Sequence, residues 1–335
     1  MADFLVLGIE TSCDDTSVAL VADGVKIRSN IISSQIDLHQ KFGGVVPELA
    51  ARCHLEAVLP VFRLALKEAG VDLADVQLIA ATYGPGLIGS LLVGLSFAKG
   101  LALARHIPFI GVNHIEGHIY ANVLERSQVR PPLICLTVSG GHTDLLLLKR
   151  WGEYKILGRT RDDAAGEAFD KIARALGLGY PGGPFIDKLA AGVEGGIEFT
   201  QFSGLPNTYD FSFSGLKTAV INYLHHQRQR GAELDIPGIA ASFQRQVVDQ
   251  LTAKLFQAVK DYNVDTILLS GGVAANSYLR QRCQAEASRL GKALFYPEFS
   301  LCTDNAAMIA AAGYFHYQAE GPGNLEITAQ PDLRL

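Results

Sequence analysis

The chain has no C-x-x-C pair, and its five cysteines, Cys13, Cys53, Cys135, Cys283 and Cys302, are odd in number and irregularly spaced. That pattern argues against a disulfide framework and against a thiolate zinc site, and it fits a reducing compartment. Excess positive charge is also absent: 29 basic residues stand against 34 acidic ones, a net charge of −5. No global attraction to a phosphate backbone follows, so any nucleic-acid contact must be local or shared with a partner. The N-terminus, "MADFLVLGIETSCDD", lacks a basic n-region and meets acid at Asp3 and Glu10, which argues against a secretory signal and for a cytoplasmic location. The longest apolar run, "LIGSLLVGLSFAKGLALA" at 87–104, carries Lys99 and three glycines, and it reads as a buried core helix with no membrane role. A P-loop is missing too, since "SGLKT" at 214–218 holds only the tail of G-x-x-x-x-G-K-[ST].

What is present is apolar content. With 335 residues and 48% hydrophobic side chains, the chain can bury a full core in each of two domains. Apolar runs at 4–9 and 17–22 flank "ETSCDDT", and runs at 133–138 and 144–149 flank "SGGHT". Both read as strand, polar turn, strand, and their recurrence predicts a duplicated α/β architecture with a boundary near "RSQVRPP" at 126–132. "VQLIAATY", the helix at 87–104 and "IPFIGV" form a βαβ unit, hence parallel pairing. A second such pattern runs from "DTILLSGG" through "NSYLRQRCQAEASRL" to "ALFY". Residues 150–215, rich in Gly, Asp and Pro, show few clear periods.

Several motifs point to chemistry. "GPGLIG" at 84–89 matches G-x-G-x-x-G, but the next strand ends in Asn113 where a ribose-binding acid is expected, so tight turning and close helix packing account for it better. "SGG" occurs in "TVSGGHT" and "LLSGGVAAN", each directly after an apolar strand, and "PGGP" at 181–184 adds a third glycine pair. Such turns let backbone N–H groups approach a phosphate or sugar, and their repetition favours that use over plain tight turns. "DDAAGEAFDK" at 162–171 pairs Glu167 with Lys171 at helical i,i+4 spacing, as either a solvated helix face or a set of acceptors for sugar hydroxyls.

"VNHIEGHIY" at 112–120 sets His114 and His118 one helical turn apart. At ~100° per residue they share a face, whereas Glu116 lies ~200° from His114. A zincin places its general base directly after the first His, so this spacing removes the base that a metallopeptidase needs. The pair follows a parallel strand, where ligand sites of α/β sheets lie; it reads as either a metal site that needs further ligands or two plain surface or core histidines. "CTDNAAMIAAAGY" at 302–314 offers Asp304, which reads first as a helix cap and otherwise as a candidate carboxylate ligand. Two imidazoles and one carboxylate would suit Fe(II) or Zn(II). Arg228, Arg230, Arg280 and Arg282 are candidate phosphate contacts or solvated helix faces.

Taken in order, "LGIETSCDDTSVAL", "GGVVPELAAR", "GPGLIGSLLVG", "NHIEGH", "VSGGHT", "DDAAGEAFDK", "YPGGP", "FSFSGLKT", "LSGGVAANSYLR" and "CTDNAAMIA" closely resemble the bacterial TsaD family, formerly described as O-sialoglycoprotein endopeptidase. The resemblance implies the two-lobed actin-like ATPase (ASKHA) fold, with duplicated α/β subdomains and a ligand cleft between them. It sets residues 1–127 plus 304–335 in the N-terminal lobe and 128–303 in the C-terminal lobe. It implies transfer of a threonylcarbamoyl group from threonylcarbamoyl-AMP to N6 of adenosine 37 in tRNAs reading ANN codons, and it admits ATP, ADP or AMP in the same cleft. The metal, iron or zinc, falls on His114, His118 and Asp304, and substrate contacts fall on Thr137, Val138, Ser139, Gly140, Gly141, Asp170, Gly183, Asp187 and Asn276. TsaB, a non-catalytic paralogue, and the ATPase TsaE are the implied partners. Where many members read Cys-Asp-Glu-Thr, this chain reads Cys13-Asp14-Asp15-Thr16, and Asp14 or Asp15 is the candidate acceptor of the amine proton. The rival readings are a metallopeptidase and a non-enzymatic nucleotide-binding switch.

Overall fold

The computed structural model describes residues 3–126, 128–199, 205 and 208–335; Ser127, the expected end of the first lobe, lies outside them. The first stretch contains β1 (Leu5–Glu10), β2 (Asp15–Ala22), β3 (Lys26–Ser34), α1 (Ile36–Gln40), α2 (Pro47–Ala69), β4 (Leu78–Gly84), α3 (Ile88–Arg105), β5 (Phe109–Asn113) and α4 (His114–Tyr120). The middle contains β6 (Leu133–Val138), β7 (Thr143–Arg150), β8 (Glu153–Arg159), α5 (Ala165–Ala175), α6 (Gly182–Ala190), α7 (Ser214–Gln229), α8 (Ile236–Tyr262), β9 (Thr266–Ser270), α9 (Ser277–Arg289) and β10 (Ala293–Phe295). The chain finishes with α10 (Phe299–Cys302) and α11 (Ala306–Glu320). It divides into two compact units, Met1–Val129 with Pro297–Leu335, and Arg130–Tyr296. Residues 297–303, expected in the second lobe, thus fall in the first unit, where Leu301 and Cys302 are buried.

In the first unit the strand order is β3-β2-β1-β4-β5, antiparallel from β3 to β1 and parallel from β1 to β5. All six residues of β1 are buried, as a central strand covered on both faces requires. One face points Leu5, Leu7 and Ile9 into a core with Val61 and Phe62 of α2 and Leu95 and Ala98 of α3. Each such fully buried side chain contributes about 1.5–3 kcal/mol. The other face, one residue out of phase, receives α11. There a Cβ on Gly8 would lie 2.2 Å from the Ala306 carbonyl oxygen, so only glycine admits this approach. α3, long and apolar enough by composition to cross a membrane, buries Ser90, Leu91, Gly94, Leu95, Ala98 and Ala102 within this unit.

The second unit repeats the plan with the order β10-β9-β6-β7-β8, antiparallel from β6 to β8 and parallel from β6 to β10. Its β6 is likewise fully buried. Two sheets of one topology bear out the duplication read from the paired strand-turn-strand segments.

Candidate metal centre and nucleotide-binding turns

α4 begins at the residue after β5, so strand geometry delivers His114 directly into the first helical turn. Asn113 caps that turn, its side-chain oxygen accepting from the backbone N–H of Ile115 at 2.8 Å and of Glu116 at 3.3 Å. Asp304 arrives from the segment before α11, where Asn305 is the cap and accepts from Met308 N–H at 3.0 Å. Asp304 is therefore released from capping. Its Oδ1 lies 3.5 Å from His114 Nε2 and 3.3 Å from His118 Nε2, and ligand atoms of all three residues fall within 4.8 Å of one another. Neither ring nitrogen of His118 has a hydrogen-bond partner, although the side chain is only 1% exposed. A buried imidazole left this way costs free energy that a metal would recover, and two His with one carboxylate is a donor set suited to Fe(II) or Zn(II). The residues fit the ion.

Glu116 takes no part in that cluster. It is 3% exposed and its Oε1 lies 2.8 Å from Nε2 of His316 on α11. Gly117, beside it, would place a Cβ 2.7 Å from Ile309, so α4 and α11 cross closely at this point. Burial opposes charging His316, but Glu116 outweighs it and raises the pKa above the ordinary 6.5. A raised histidine pKa means that the folded state binds the proton more tightly, so the stabilisation is present below 6.5 and is lost as pH rises through the folded value. Glu116→Gln is accordingly expected to lower the melting temperature by several degrees in mildly acidic buffer and by much less in alkaline buffer, read by calorimetry. An equal loss at both ends would show that the pair's charge does not matter.

The turn between β1 and β2 lies against the same cluster. Asp15 opens β2 opposite Ser34 of β3, and burial pushes its carboxyl up to about 7, against the Ser34 hydroxyl and with help from the charges of Asp304, Asp14 and Glu10. Its Oδ1 is buried without a partner. Asp14 is raised as well, chiefly by burial. His54 of α2 holds this turn in place: its Nε2 lies 3.0 Å from the Cys13 carbonyl and its Nδ1 2.7 Å from Thr16 Oγ1. A carbonyl only accepts, so Nε2 carries a proton, and burial lowers the pKa of the ring below its ordinary 6.5. The G-x-G-x-x-G segment supports the turn from the other side. Leu87 N–H donates to the Ser12 carbonyl at 2.8 Å, and a Cβ on Gly86 would lie 2.5 Å from that same oxygen.

Thr137, Val138, Ser139, Gly140, Gly141, Asp170, Gly183, Asp187 and Asn276 all fall in the second unit, and its contacts bring them together. Thr137 Oγ1 meets Ser270 Oγ at 2.8 Å, and Gly271 (φ +84°) would place a Cβ 2.4 Å from the Val138 carbonyl, so the two SGG turns pack on each other. Gly166 at the start of α5 approaches Ser139 as closely, at 2.4 Å. Asp170 accepts from Gly182 N–H at 2.6 Å, next to Gly183. Asp187 accepts from both Ser277 N–H (3.0 Å) and Ser277 Oγ–H (2.9 Å), next to Asn276, whose amide donates to Gln244 at 2.8 Å. The glycines divide by use. Gly166, Gly182 and Gly271 are demanded by packing, whereas a Cβ on Gly140, Gly141, Gly183 or Gly272 would meet nothing within 4 Å. At those four positions the bare backbone stands open to a ligand.

Other candidates serve the fold. Glu167 pairs with Lys171 at 2.6 Å, as the i,i+4 spacing predicts, and Asp163 binds Lys171 at 2.9 Å and Lys217 at 2.5 Å. Asp162 accepts from Phe213 N–H at 2.8 Å and anchors the start of α7. Arg228 donates to the Ala175 carbonyl at 3.0 Å, Arg280 lies over the Tyr296 ring at 4.4 Å, and Arg282 pairs with Asp249 at 3.1 Å. Sequence reasoning missed Glu10, Ser12, Thr82 and His54 in the first unit and Gln244 and Ser277 in the second. The signal available for Glu10 was an acid closing an otherwise apolar central strand.

The chain matches the profile of the family TsaD: tRNA N6-adenosine threonylcarbamoyltransferase over residues 26–311. It is 58% identical over 332 residues to the tRNA N6-adenosine threonylcarbamoyltransferase of Caldicellulosiruptor bescii, covering 99% of this chain and 98% of that one. The enzyme of the same name from Clostridium botulinum is 53% identical over 331 residues, covering 98% and 97%. Among solved structures, full-length HypF in its phosphate- and nucleotide-bound form is similar with a TM-score of 0.62 at 15% identity, over 96% of this chain and 56% of HypF. Component A of the Acidaminococcus fermentans (R)-2-hydroxyglutaryl-CoA dehydratase is similar with a TM-score of 0.58 at 15% identity, over 94% and 99%. These likenesses show the actin-like ATPase fold, with its paired five-stranded sheets.

Proposed function

The chain belongs to the TsaD family, the tRNA N6-adenosine threonylcarbamoyltransferases, and from that premise we propose that it transfers the threonylcarbamoyl group of threonylcarbamoyl-AMP to N6 of adenosine 37 in tRNAs reading ANN codons. The product is threonylcarbamoyladenosine. The observation that carries the site assignment is the cluster of buried His114 and His118 with half-buried Asp304, with both His118 nitrogens lacking a hydrogen-bond partner. One divalent metal, iron or zinc, would sit on these three residues and act as a Lewis acid toward the carbamoyl oxygen and the adjoining phosphate.

The donor is a mixed anhydride and already activated, so the protein's task is to orient it and to accept a proton. The N6 lone pair forms the new C–N bond, the bond from the carbamoyl carbon to the phosphate oxygen breaks, and AMP departs with that electron pair. N6 loses one proton, and a carboxylate of Asp14 or Asp15 receives it. Asp15, pushed up to about 7, is the better matched of the two to proton transfer near neutral pH. In the second unit, the open backbone at Gly140, Gly141 and Gly272 supports N–H contacts to the phosphate of AMP. Asp170 and Asp187 accept ribose hydroxyls, Gly183 leaves room for the sugar, and Asn276, its amide orientation set by Gln244, lies beside the adenine.

A peptidase reading has no support in this geometry, because Glu116 is committed to His316. The target adenosine lies in a single-stranded loop, which proteins read by shape and base edges. The net charge of −5 suits a protein that shares tRNA binding with partners, and TsaB and TsaE are the partners we propose, in the cytoplasm. With threonylcarbamoyl-AMP and those partners supplied, labelled threonine is expected to enter unmodified ANN-decoding tRNA. Absence of label under those conditions would overturn the assignment.

A further inference from the structure

The two histidines of the cluster are held in different ways. His118 has no hydrogen-bond partner at either nitrogen, whereas His114 Nδ1 lies 2.9 Å from Glu10 Oε2 and 3.1 Å from Ser12 Oγ. Glu10 closes β1 and is fully buried. Its carboxylate accepts from three donors: Ser12 N–H on Oε1, and Thr82 Oγ–H (2.6 Å) and His114 Nδ1–H on Oε2. A carboxylate so placed can only accept, so it requires a proton on Nδ1 and leaves the lone pair of His114 on Nε2, the nitrogen that faces Asp304. Its donors come from the β1–β2 turn (Ser12), from β4 (Thr82) and from the β5–α4 junction (His114), three separate segments joined through one sheet, which leaves little freedom for the imidazole plane.

We propose that Glu10 is the positioning residue of the metal centre: it fixes the tautomer and ring plane of His114 so that this ligand is prepared before the ion arrives, while His118 acquires its orientation from the ion. The inference rests on the metal reading given above. Carboxylates that hydrogen-bond a ligating histidine fix its tautomer and raise its basicity, and their loss costs 10- to 100-fold in metal affinity or activity in comparable sites. An amide at this position would offer the wrong group, since its NH2 can turn toward Nδ1 and draw the imidazole into the tautomer with its proton on Nε2.

The test uses the purified full-length chain and zinc alone, titrated against a chromophoric chelator, with no tRNA or donor. Wild type is expected to bind zinc, and Glu10→Gln to bind it about 10- to 100-fold more weakly. Thr82→Val, which removes one donor from the same carboxylate oxygen and preserves side-chain volume, is expected to weaken binding in the same direction by less, and it serves if Glu10→Gln does not fold. Nitrogen-15 spectra of zinc-loaded wild type should show the His114 Nδ1 proton retained and Nε2 as the coordinated nitrogen, a signature that loss of stability alone does not move. Unchanged zinc affinity in both variants, or coordination of His114 through Nδ1, would sink the role of Glu10 and leave the metal reading standing. Failure of wild type to bind zinc or ferrous iron would sink both.

Discussion

Replacing His118 with alanine is expected to abolish retention of the divalent ion and to lower threonylcarbamoyl transfer by at least about 100-fold, since a Lewis acid supplies several kcal/mol and each ~1.4 kcal/mol is a factor of ten. The effect on folding should run differently. In the metal-free protein His118 is buried with neither nitrogen hydrogen-bonded, so deleting the imidazole removes an unsatisfied polar group. The small void left behind offsets part of that gain. Metal-free His118→Ala should therefore melt close to metal-free wild type, and only the wild type should gain stability when zinc or iron is added. Full transfer activity in the variant, with donor supplied, would remove the metal from the mechanism.

Asp15→Asn is expected to move rate and stability in opposite directions. Loss of a proton acceptor lowers transfer by about 10²- to 10⁴-fold. The folded protein holds the Asp15 proton up to about 7, against an ordinary value of 3.8, so between those values the native state binds more protons than the unfolded chain. Stability from this group is complete at low pH and declines as pH rises through that window. Asparagine has no charge to bury, so above the window the metal-free variant should be the more stable protein, by a few kcal/mol at most. Calorimetry across pH reads this directly, and wild-type transfer should climb with pH before levelling off. A variant that is both inactive and less stable would mean that the Asp15 carboxylate supports the turn and does not act as the base.

The parts of the architecture legible in sequence are those where both faces of an element are buried. β1, β2 and β6 are apolar runs buried on both faces, β7 is buried through Leu145–Leu148, and the polar turns between them stand out against these runs. β3 is an edge strand of mixed exposure, so its sequence, "KIRSNIISS", shows no clean alternation. α8 is buried over most of its surface and keeps only a narrow, partly exposed stripe through Arg245, Asp249, Gln257 and Lys260, a weak helical signal, while α2 carries Pro60 within it. In 150–215 the elements are short and interrupted by glycines whose reasons are tertiary, such as Gly166 against Ser139 and Gly182 against Ala173.

At the site, the histidine pair was visible because an i,i+4 spacing is local. Asp304 was ambiguous because an acid before a helix is ordinarily a cap, and only the structure shows that Asn305 takes that role. Glu10 left almost no trace in spacing, since its partners His114 and Thr82 are brought to it by sheet pairing.

The order in which the ribosome delivers these pieces has its own consequence. The second unit, Arg130–Tyr296, is one uninterrupted stretch, but the first is split around it and lacks α11 and Asp304 until the residues beyond Tyr296 emerge. Until then the face of β1 bearing Gly8 has no α11 to cover it, and the candidate metal ligands His114 and His118 have no carboxylate beside them. The unit that comes second in sequence can thus complete its fold first. A chain truncated near Tyr296 would keep the glycine turns of the second unit and lack the carboxylate of the candidate metal site.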